Sequence, residues 1–259
     1  MIPILSVKNL SVEYKISSGI IKAAKLVSFD VNKGESFVIV GRSGSGKSTV
    51  AAAIMDLTEI DGGSVKSGSI VYGGRDMLQM SFDEKREVKG KKISMIFQDP
   101  QSYLNPVVRV GKQVAEAFSV HNPAAKKEEI AKKVEEVLKK VKLDDVKRIS
   151  DSYPHQLSGG QKQRALIAMA IINDPEILIA DEPTTGLDAA VQKQILALLE
   201  ELKKSLGLTL IMITHNMKIA KKFSDKIAVM HNGEIVESGK TSEVFAEPKH
   251  EYTKLLIGS

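Results

Sequence analysis

Apolar and polar positions alternate from Ile4 to Val12 and again from Leu26 to Val31, with Gly19 turning the chain between them. A period of two predicts strands with one buried face. Asn32-Lys33-Gly34-Glu35 then leads into Ser36–Val40, a nearly continuous apolar run of the kind a strand buried on both faces requires. The period changes next: Val50, Ala51, Ile54 and Met55 share one face of a helix from about Lys47 to Asp56. The glycine-rich segment from Gly62 to Gly74 returns to strand, and residues 100–160 read as largely helical, with breaks around Pro106 and Pro123. From Ser158 onward the elements alternate. A helix from Gln161 to Ile172 precedes a strand from Glu176 to Ala180. A helix after Asp188, with Val191, Ile195, Leu198, Leu199 and Leu202 inward, precedes a strand from Leu208 to Ile213. Ile227–Met230 and Gly233–Gly239 close the pattern before a helical tail. Such alternation predicts an α/β fold with a mostly parallel sheet and helices on its faces.

The strand at Ser36–Val40 feeds Gly41-Arg42-Ser43-Gly44-Ser45-Gly46-Lys47-Ser48, a complete G-x-x-x-x-G-K-S phosphate loop. Gly41, Gly44 and Gly46 free the backbone N–H groups to wrap phosphates, and the following helix adds its positive end. Lys47 supplies a point charge to the β- and γ-phosphates, and Ser48 a hydroxyl for Mg²⁺. Ser43, Ser45 and Thr49 complete the loop's candidate ATP contacts.

A second acidic element follows the apolar run Ile177-Leu178-Ile179-Ala180. Asp181, ending a buried strand, needs a compensating charge, which Mg²⁺ held partly through water provides. Glu182 is placed to take a proton from attacking water. Taken alone, an Asp-Glu pair after an apolar run is equally a helix start; the phosphate loop upstream favours the catalytic reading. Between the two lies Leu157-Ser158-Gly159-Gly160-Gln161, which sets Ser158, Gly159 and Gly160 before a helix and makes a second anion-binding N-terminus.

Phosphate loop, L-S-G-G-Q and Asp-Glu in this order resemble the ATP-binding cassette ATPases. The resemblance spans essentially the whole chain and implies a P-loop NTPase core, an N-terminal antiparallel β subdomain and a helical insert, about 99–165, carrying the signature. On this expectation residues 1–259 form a single nucleotide-binding domain. In that family the signature, here Ser158, Gly159, Gly160 and Gln161, faces the nucleotide of another subunit in a head-to-tail dimer. Asp188, in Thr185-Gly186-Leu187-Asp188, matches the loop that crosses the dimer interface. Gln98, in Ile96-Phe97-Gln98-Asp99, matches a glutamine that touches Mg²⁺ or water. His215 matches a histidine at the γ-phosphate, and Tyr14 an aromatic stacked on adenine, with core packing as the alternative for Tyr14.

Finer matches point to the dipeptide, oligopeptide and nickel importer group. They are Gln98-Asp99-Pro100 with Leu104-Asn105-Pro106, Tyr153-Pro154-His155-Gln156, and His250-Glu251-Tyr252-Thr253-Lys254-Leu255-Leu256. The resemblance implies two transmembrane permease subunits, a second and non-identical ATPase chain, and an extracytoplasmic substrate-binding protein as indirect partner. The segment from Gln98 to about Phe118, with Tyr103 and Leu104, is the expected coupling surface. Arg42 stands where the group usually has Glu, and Tyr103 where a small residue is usual. The chain stops at Ser259 without the cysteine-bearing tail of many peptide-importing members. Shorter members, nickel-type ones included, also lack that tail, so peptide and metal chelate both stay open.

Composition narrows the alternatives. The 259 residues hold no cysteine, hence no disulfide framework or thiolate metal site. No apolar stretch approaches the roughly 20 residues that span a bilayer, and the N-terminus lacks the features of a secretory signal. The expected location is the cytoplasmic face of the cell membrane. The net charge of +5 raises nucleic acid as a partner. Yet many lysines fall in Lys126–Lys142, where Ile130, Val134, Val137, Leu138 and Val141 form one stripe. Glu128/Lys132, Glu129/Lys133, Glu135/Lys139 and Glu136/Lys140 fall at i,i+4 on the other face, which reads as a solvated surface. No nucleic-acid partner is therefore expected. A non-transport cassette ATPase acting on chromosomes or ribosomes is the alternative. The chromosomal type needs a long coiled coil, whereas roughly 110 residues with one short amphipathic helix separate loop and signature. A small-molecule kinase has no use for L-S-G-G-Q. Histidines 121, 155, 231 and 250 lack metal-ligand spacing and are expected at the surface.

Overall fold

The computed structural model describes residues 2–60 and 62–258. The chain divides into two compact units, one formed by residues up to Lys85 together with those from Thr209 onward, the other running from Arg86 to Leu208.

In the first unit, β1 (Leu5–Ile16) and β2 (Gly19–Val31) form a hairpin. Leu5, Leu10, Val12, Val27 and Val31 are buried, whereas Ile16, Ile20 and Ile21 are exposed. Backbone pairing thus outlasts side-chain burial, and the alternation fades at Val12 while the strand continues to Ile16. All five residues of β3 (Ser36–Val40) are buried, as a parallel central strand demands. Helix α1 (Lys47–Ile54) turns Val50, Ala51, Ala53 and Ile54 inward. β4 (Gly63–Tyr72) and the two-residue β5 (Arg75–Asp76) complete an antiparallel sheet of order β2-β1-β4-β5.

Helix α2 (Phe82–Val88), which has no apolar stripe to announce it, leads into the second unit. There β6 (Ile93–Ile96) pairs in parallel with a strand 84 positions downstream, Ile93 opposite Ile177. Four residues are too few for a periodic signal, and β6 is absent from the sequence reading. Helices α3 (Pro100–Tyr103), α4 (Val110–Ser119), α5 (Lys127–Lys140), α6 (Val146–Asp151) and α7 (Gly159–Ile171) follow, with breaks where Pro106 and Pro123 fall. β7 (Ile177–Asp181) and the long α8 (Ala189–Leu206) end this unit. The chain then returns to the first unit. β8 (Thr209–Thr214) and β9 (Lys226–His231) flank β3 in parallel, with α9 (Met217–Phe223) between them in sequence. β10 (Glu234–Lys240) pairs antiparallel with β9, and α10 (Thr241–Ala246) and α11 (Glu251–Gly258) complete the described chain. The predicted α/β class, the antiparallel N-terminal sheet and the helical segment carrying the signature are all present.

Three expectations need correction. Of the four i,i+4 pairs on α5, Glu135–Lys139 forms at 2.6 Å, but Lys132 reaches Glu136 at 4.0 Å. Lys133 and Lys140 instead meet Asp174 at 3.0 and 3.9 Å. Exposed pairs along one helix contribute only a few tenths of a kcal/mol, so a carboxylate from a neighbouring turn competes easily. His121 and His231 are half-buried rather than superficial. Burial, with the Lys91 and Arg86 cations, holds His121 below the usual imidazole range against the opposing pull of Glu87. Last, Leu104 is only 2% exposed and belongs to the core, not to a docking face.

Tyr103 is half exposed and stacks on Phe97 with centroids 4.0 Å apart. The loop after Leu104 is fixed by the buried Gln113 of α4. Its Oε1 accepts the Asn105 N–H at 2.9 Å, and its Nε2 donates to the carbonyls of Asn105 and Val108 at 3.0 and 2.7 Å. Emptying a buried leucine site costs about 2–5 kcal/mol. Leu104→Ala is therefore expected to lower the midpoint of denaturant unfolding sharply, and Tyr103→Ala to leave it nearly unchanged. Equal stability of the two variants would contradict this assignment.

Candidate nucleotide site

The phosphate loop lies in the first unit, between β3 and α1. Two of its three glycines are dictated by close approach. A Cβ on Gly41 would stand 2.2 Å from the Met230 carbonyl oxygen, and one on Gly46 2.0 Å from that of Ala23. Gly46 also has φ +99°, a left-handed backbone that side chains resist. The β9–β10 turn holds the loop from the other side, Gly233 N–H donating to the Ser45 carbonyl at 3.1 Å. Lys47 Nζ donates to the carbonyls of Gly41 and Arg42 at 2.8 and 2.9 Å, and more weakly to Ser45 Oγ at 3.4 Å. Ser43, Gly44 and Ser48 are exposed, and Thr49 is half-buried. Gly46 brings no side-chain cap to α1, so its first-turn amides are suited to an anion.

Two more sequence candidates share this unit. Tyr14 sits on β1 opposite Gly63, and a Cβ at Gly63 would lie 2.7 Å from the Tyr14 ring. His215 follows β8 and is exposed.

The remaining candidates lie in the second unit. Asp181 is the last residue of β7 and is 5% exposed. Glu182 has φ +43°, which turns the chain sharply out of the strand. Its Oε2 accepts the Thr185 hydroxyl at 2.8 Å and Gln98 Nε2 at 3.5 Å, so two sequence candidates 84 positions apart meet. Thr185 is a partner the sequence reading did not assign.

Ser158 and Gln161 form a capping box at α7. Ser158 Oγ accepts the Gln161 N–H at 3.3 Å, and Gln161 Oε1 accepts the Ser158 N–H at 3.1 Å. Asp188 Oδ1 caps α8, accepting the N–H groups of Ala190 and Val191 at 3.0 and 2.9 Å. These two helix starts touch. A Cβ on Gly159 would come within 3.3 Å of Leu187 Cδ2, and one on Gly160 within 2.8 Å of Val191 Cγ1. The signature glycines thus have a packing reason as well as the anion-binding one read from sequence.

Residues 24–185, spanning the phosphate loop, the signature and the acidic pair, match the ABC transporter family. The chain belongs to the ABC transporter family. It is an ATP-binding ATPase of that family, and relatives matched along nearly all of this chain agree. The dipeptide transport ATP-binding protein DppD of Lactococcus lactis subsp. cremoris (strain MG1363) is 43% identical over 256 residues, 99% of this chain and 73% of that protein. The oligopeptide transport ATP-binding protein OppD of Bacillus subtilis (strain 168) is 42% identical over 99% of this chain and 71% of its own length. Among solved structures, a dimeric post-hydrolysis state of the ATP-binding cassette MJ0796, bound to ADP and Pi, matches with a TM-score of 0.81. It is 32% identical and covers 92% of this chain and 98% of that one.

In this ABC ATPase the contact between Gly160 and Val191 is a direct test of the signature's packing. Overfilling a packed site costs about 1–3 kcal/mol. Gly160→Ala is expected to lower thermal stability, and adding Val191→Ala to recover part of the loss. A Gly160→Ala protein as stable as wild type would show that the approach is not limiting.

Proposed function

We propose that this ABC ATPase powers import of peptides by a membrane transporter, with its phosphate loop and acidic pair acting on MgATP. The observation that carries the reading is the presence of two glycine-led helix starts, which this reading takes as anion sites. One is α1, behind a lysine-bearing loop, and the other is α7, capped by Ser158 and packed by glycines against Leu187–Val191. A chain that completes only its own nucleotide site has no use for the second. A head-to-tail partner does, and the MJ0796 cassette, whose structure matches this chain, is dimeric.

In this reading Gly41, Ser43, Gly44, Ser45, Gly46 and Thr49 wrap the phosphates, Lys47 neutralises them, and Ser48, Gln98 and Asp181 hold Mg²⁺. A cation suits Asp181, whose carboxylate sits where a bare charge is costly. Glu182 takes the proton from attacking water, oriented by Thr185 and Gln98. His215 contacts the γ-phosphate, Tyr14 carries the adenine, and Asp188 lies at the dimer interface beside Ser158–Gln161. No described helix is long and apolar enough to cross a membrane. Two transmembrane permease subunits then supply the translocation path, a substrate-binding protein delivers cargo, and this chain works at the cytoplasmic face. Residues 1–259 act as one nucleotide-binding domain. The second ATPase chain is non-identical. Relatives named for dipeptide and oligopeptide transport favour peptides over nickel chelates as cargo.

Glu182→Gln is expected to bind MgATP and lose roughly 10²–10⁴-fold in hydrolysis, because an amide takes no proton. Turnover near wild type removes Glu182 from that role. A Ser158 variant mixed with a Lys47 variant should form dimers holding one intact composite site, and so regain activity that neither has alone. No recovery on mixing, where the two variants are seen to pair with each other, sinks the head-to-tail arrangement.

Purification of the membrane complex should yield one copy of this chain, a second ATPase and two permease subunits. Two copies of this chain with no other ATPase exclude the non-identical partner. Stimulation of hydrolysis by a peptide-loaded binding protein, and not by a nickel-loaded one, tests the cargo.

A further inference from the structure

Helix α11 carries His250–Leu256, one of the stretches that resemble the importer group, and the nucleotide chemistry above assigns it no task. Its Tyr252 hydroxyl accepts the Arg42 backbone N–H at 3.1 Å. That N–H belongs to the peptide group joining Gly41 to Arg42. The carbonyl of the same peptide group, on Gly41, accepts Lys47 Nζ at 2.8 Å. One peptide plane of the phosphate loop is therefore gripped on both edges, by a phenol on one side and by the loop's own lysine on the other. In a trans peptide the N–H and C=O bonds point in opposite directions, so fixing one edge fixes the direction in which the other presents its oxygen.

Tyr252 is in turn held from several directions. Its ring stacks on His231, the last residue of β9, with centroids 3.8 Å apart. Its own N–H donates to His250 Nδ1 at 3.1 Å. Ahead of the helix, the Glu237 carboxylate on β10 accepts the N–H groups of Lys249 and His250 at 2.9 and 3.0 Å. Burial alone would raise Glu237, but these donors outweigh it and keep the carboxyl below its usual range. Thr253 and Leu256 bury the inner face of the helix. A phenol mounted this firmly on β9 and β10 is a fixed post, not a mobile side chain at rest.

We propose that Tyr252 is a positioning residue for the ATP reaction: its hydroxyl sets the Gly41–Arg42 peptide and, through the Gly41 carbonyl, the place of the Lys47 ammonium. The proposal rests on the phosphate loop serving ATP. It also explains why Arg42 is tolerated in the loop. The amide of Arg42 is engaged by the protein, and its side chain stands in solvent.

Tyr252→Phe keeps the ring and its stack on His231 and removes only the hydroxyl. The expected result is a KM for ATP raised about three- to tenfold, the effect of losing one hydrogen bond, with kcat within twofold and thermal stability unchanged. Amide exchange at Arg42, measured in the nucleotide-free chain, should quicken by a similar factor. Glu237→Gln, which loosens the start of α11 with Tyr252 intact, should raise KM in the same direction by less. An unchanged KM in Tyr252→Phe overturns the proposal. So does a fall in stability with KM and Arg42 exchange unmoved, which marks a merely structural helix. Failure of the wild-type chain to bind ATP would sink the functional reading instead, and Arg42 exchange in the two proteins would still decide whether Tyr252 holds the loop.

Discussion

The first unit is organised by backbone approaching backbone at the phosphate loop. Gly41 lies against the Met230 carbonyl and Gly46 against that of Ala23, at distances no side chain permits. Such contacts set the loop directly against the end of β9 and against β2, as well as between its own strand and helix. β3 delivers the loop from a fully buried position with parallel partners on both sides, so its direction is fixed before the glycines act. The loop's shape is then a property of the unit, and the few groups it must offer a phosphate arrive prearranged. Preorganisation of this kind is what electrostatic catalysis draws on, since dipoles already aimed need no reorientation during reaction.

In the second unit, side chains singled out for function also satisfy helix ends. Ser158 and Asp188 occupy N-cap positions and make the bonds that N-caps make. A cap is an economical place for a functional oxygen, because the helix fixes its direction and neighbouring amides already favour negative charge. The consequence for mutagenesis is a mixed phenotype: removing a cap costs about 1 kcal/mol of stability whatever it does to activity.

Elements whose period was long or whose burial was two-sided were legible in the sequence. Ser36–Val40 coincides with β3, and the stripe of α8 is buried at Ile195, Leu198, Leu199 and Leu202 as read. The motifs marked Gln98 and Glu182 separately, and the structure adds that their side chains meet. What escaped was short or non-local. β6 is four residues long, and its strand character comes from pairing with β7, which no local window contains. Asp174 captures two lysines only because the turn after α7 lies beside α5. The link from Tyr252 to Arg42 joins positions 210 apart. Its sequence trace was the His250–Leu256 stretch, recognisable as a resemblance and mute about what it touches. Leu104 was misplaced because a leucine between Tyr103 and Asn105 carries no periodic sign of which way it faces.

The buried amide of Gln113 gives the loop around Asn105–Val108 an unusual mechanical character. Three of its hydrogen bonds fasten irregular backbone to α4, a role ordinarily filled by neighbouring strands. Val107, at the crest of this loop, is 79% exposed. The backbone beneath that side chain is held to a helix, which leaves the loop less room to bend than an unsupported one. The loop is thus fastened to α4 beneath an apolar side chain that stands in solvent.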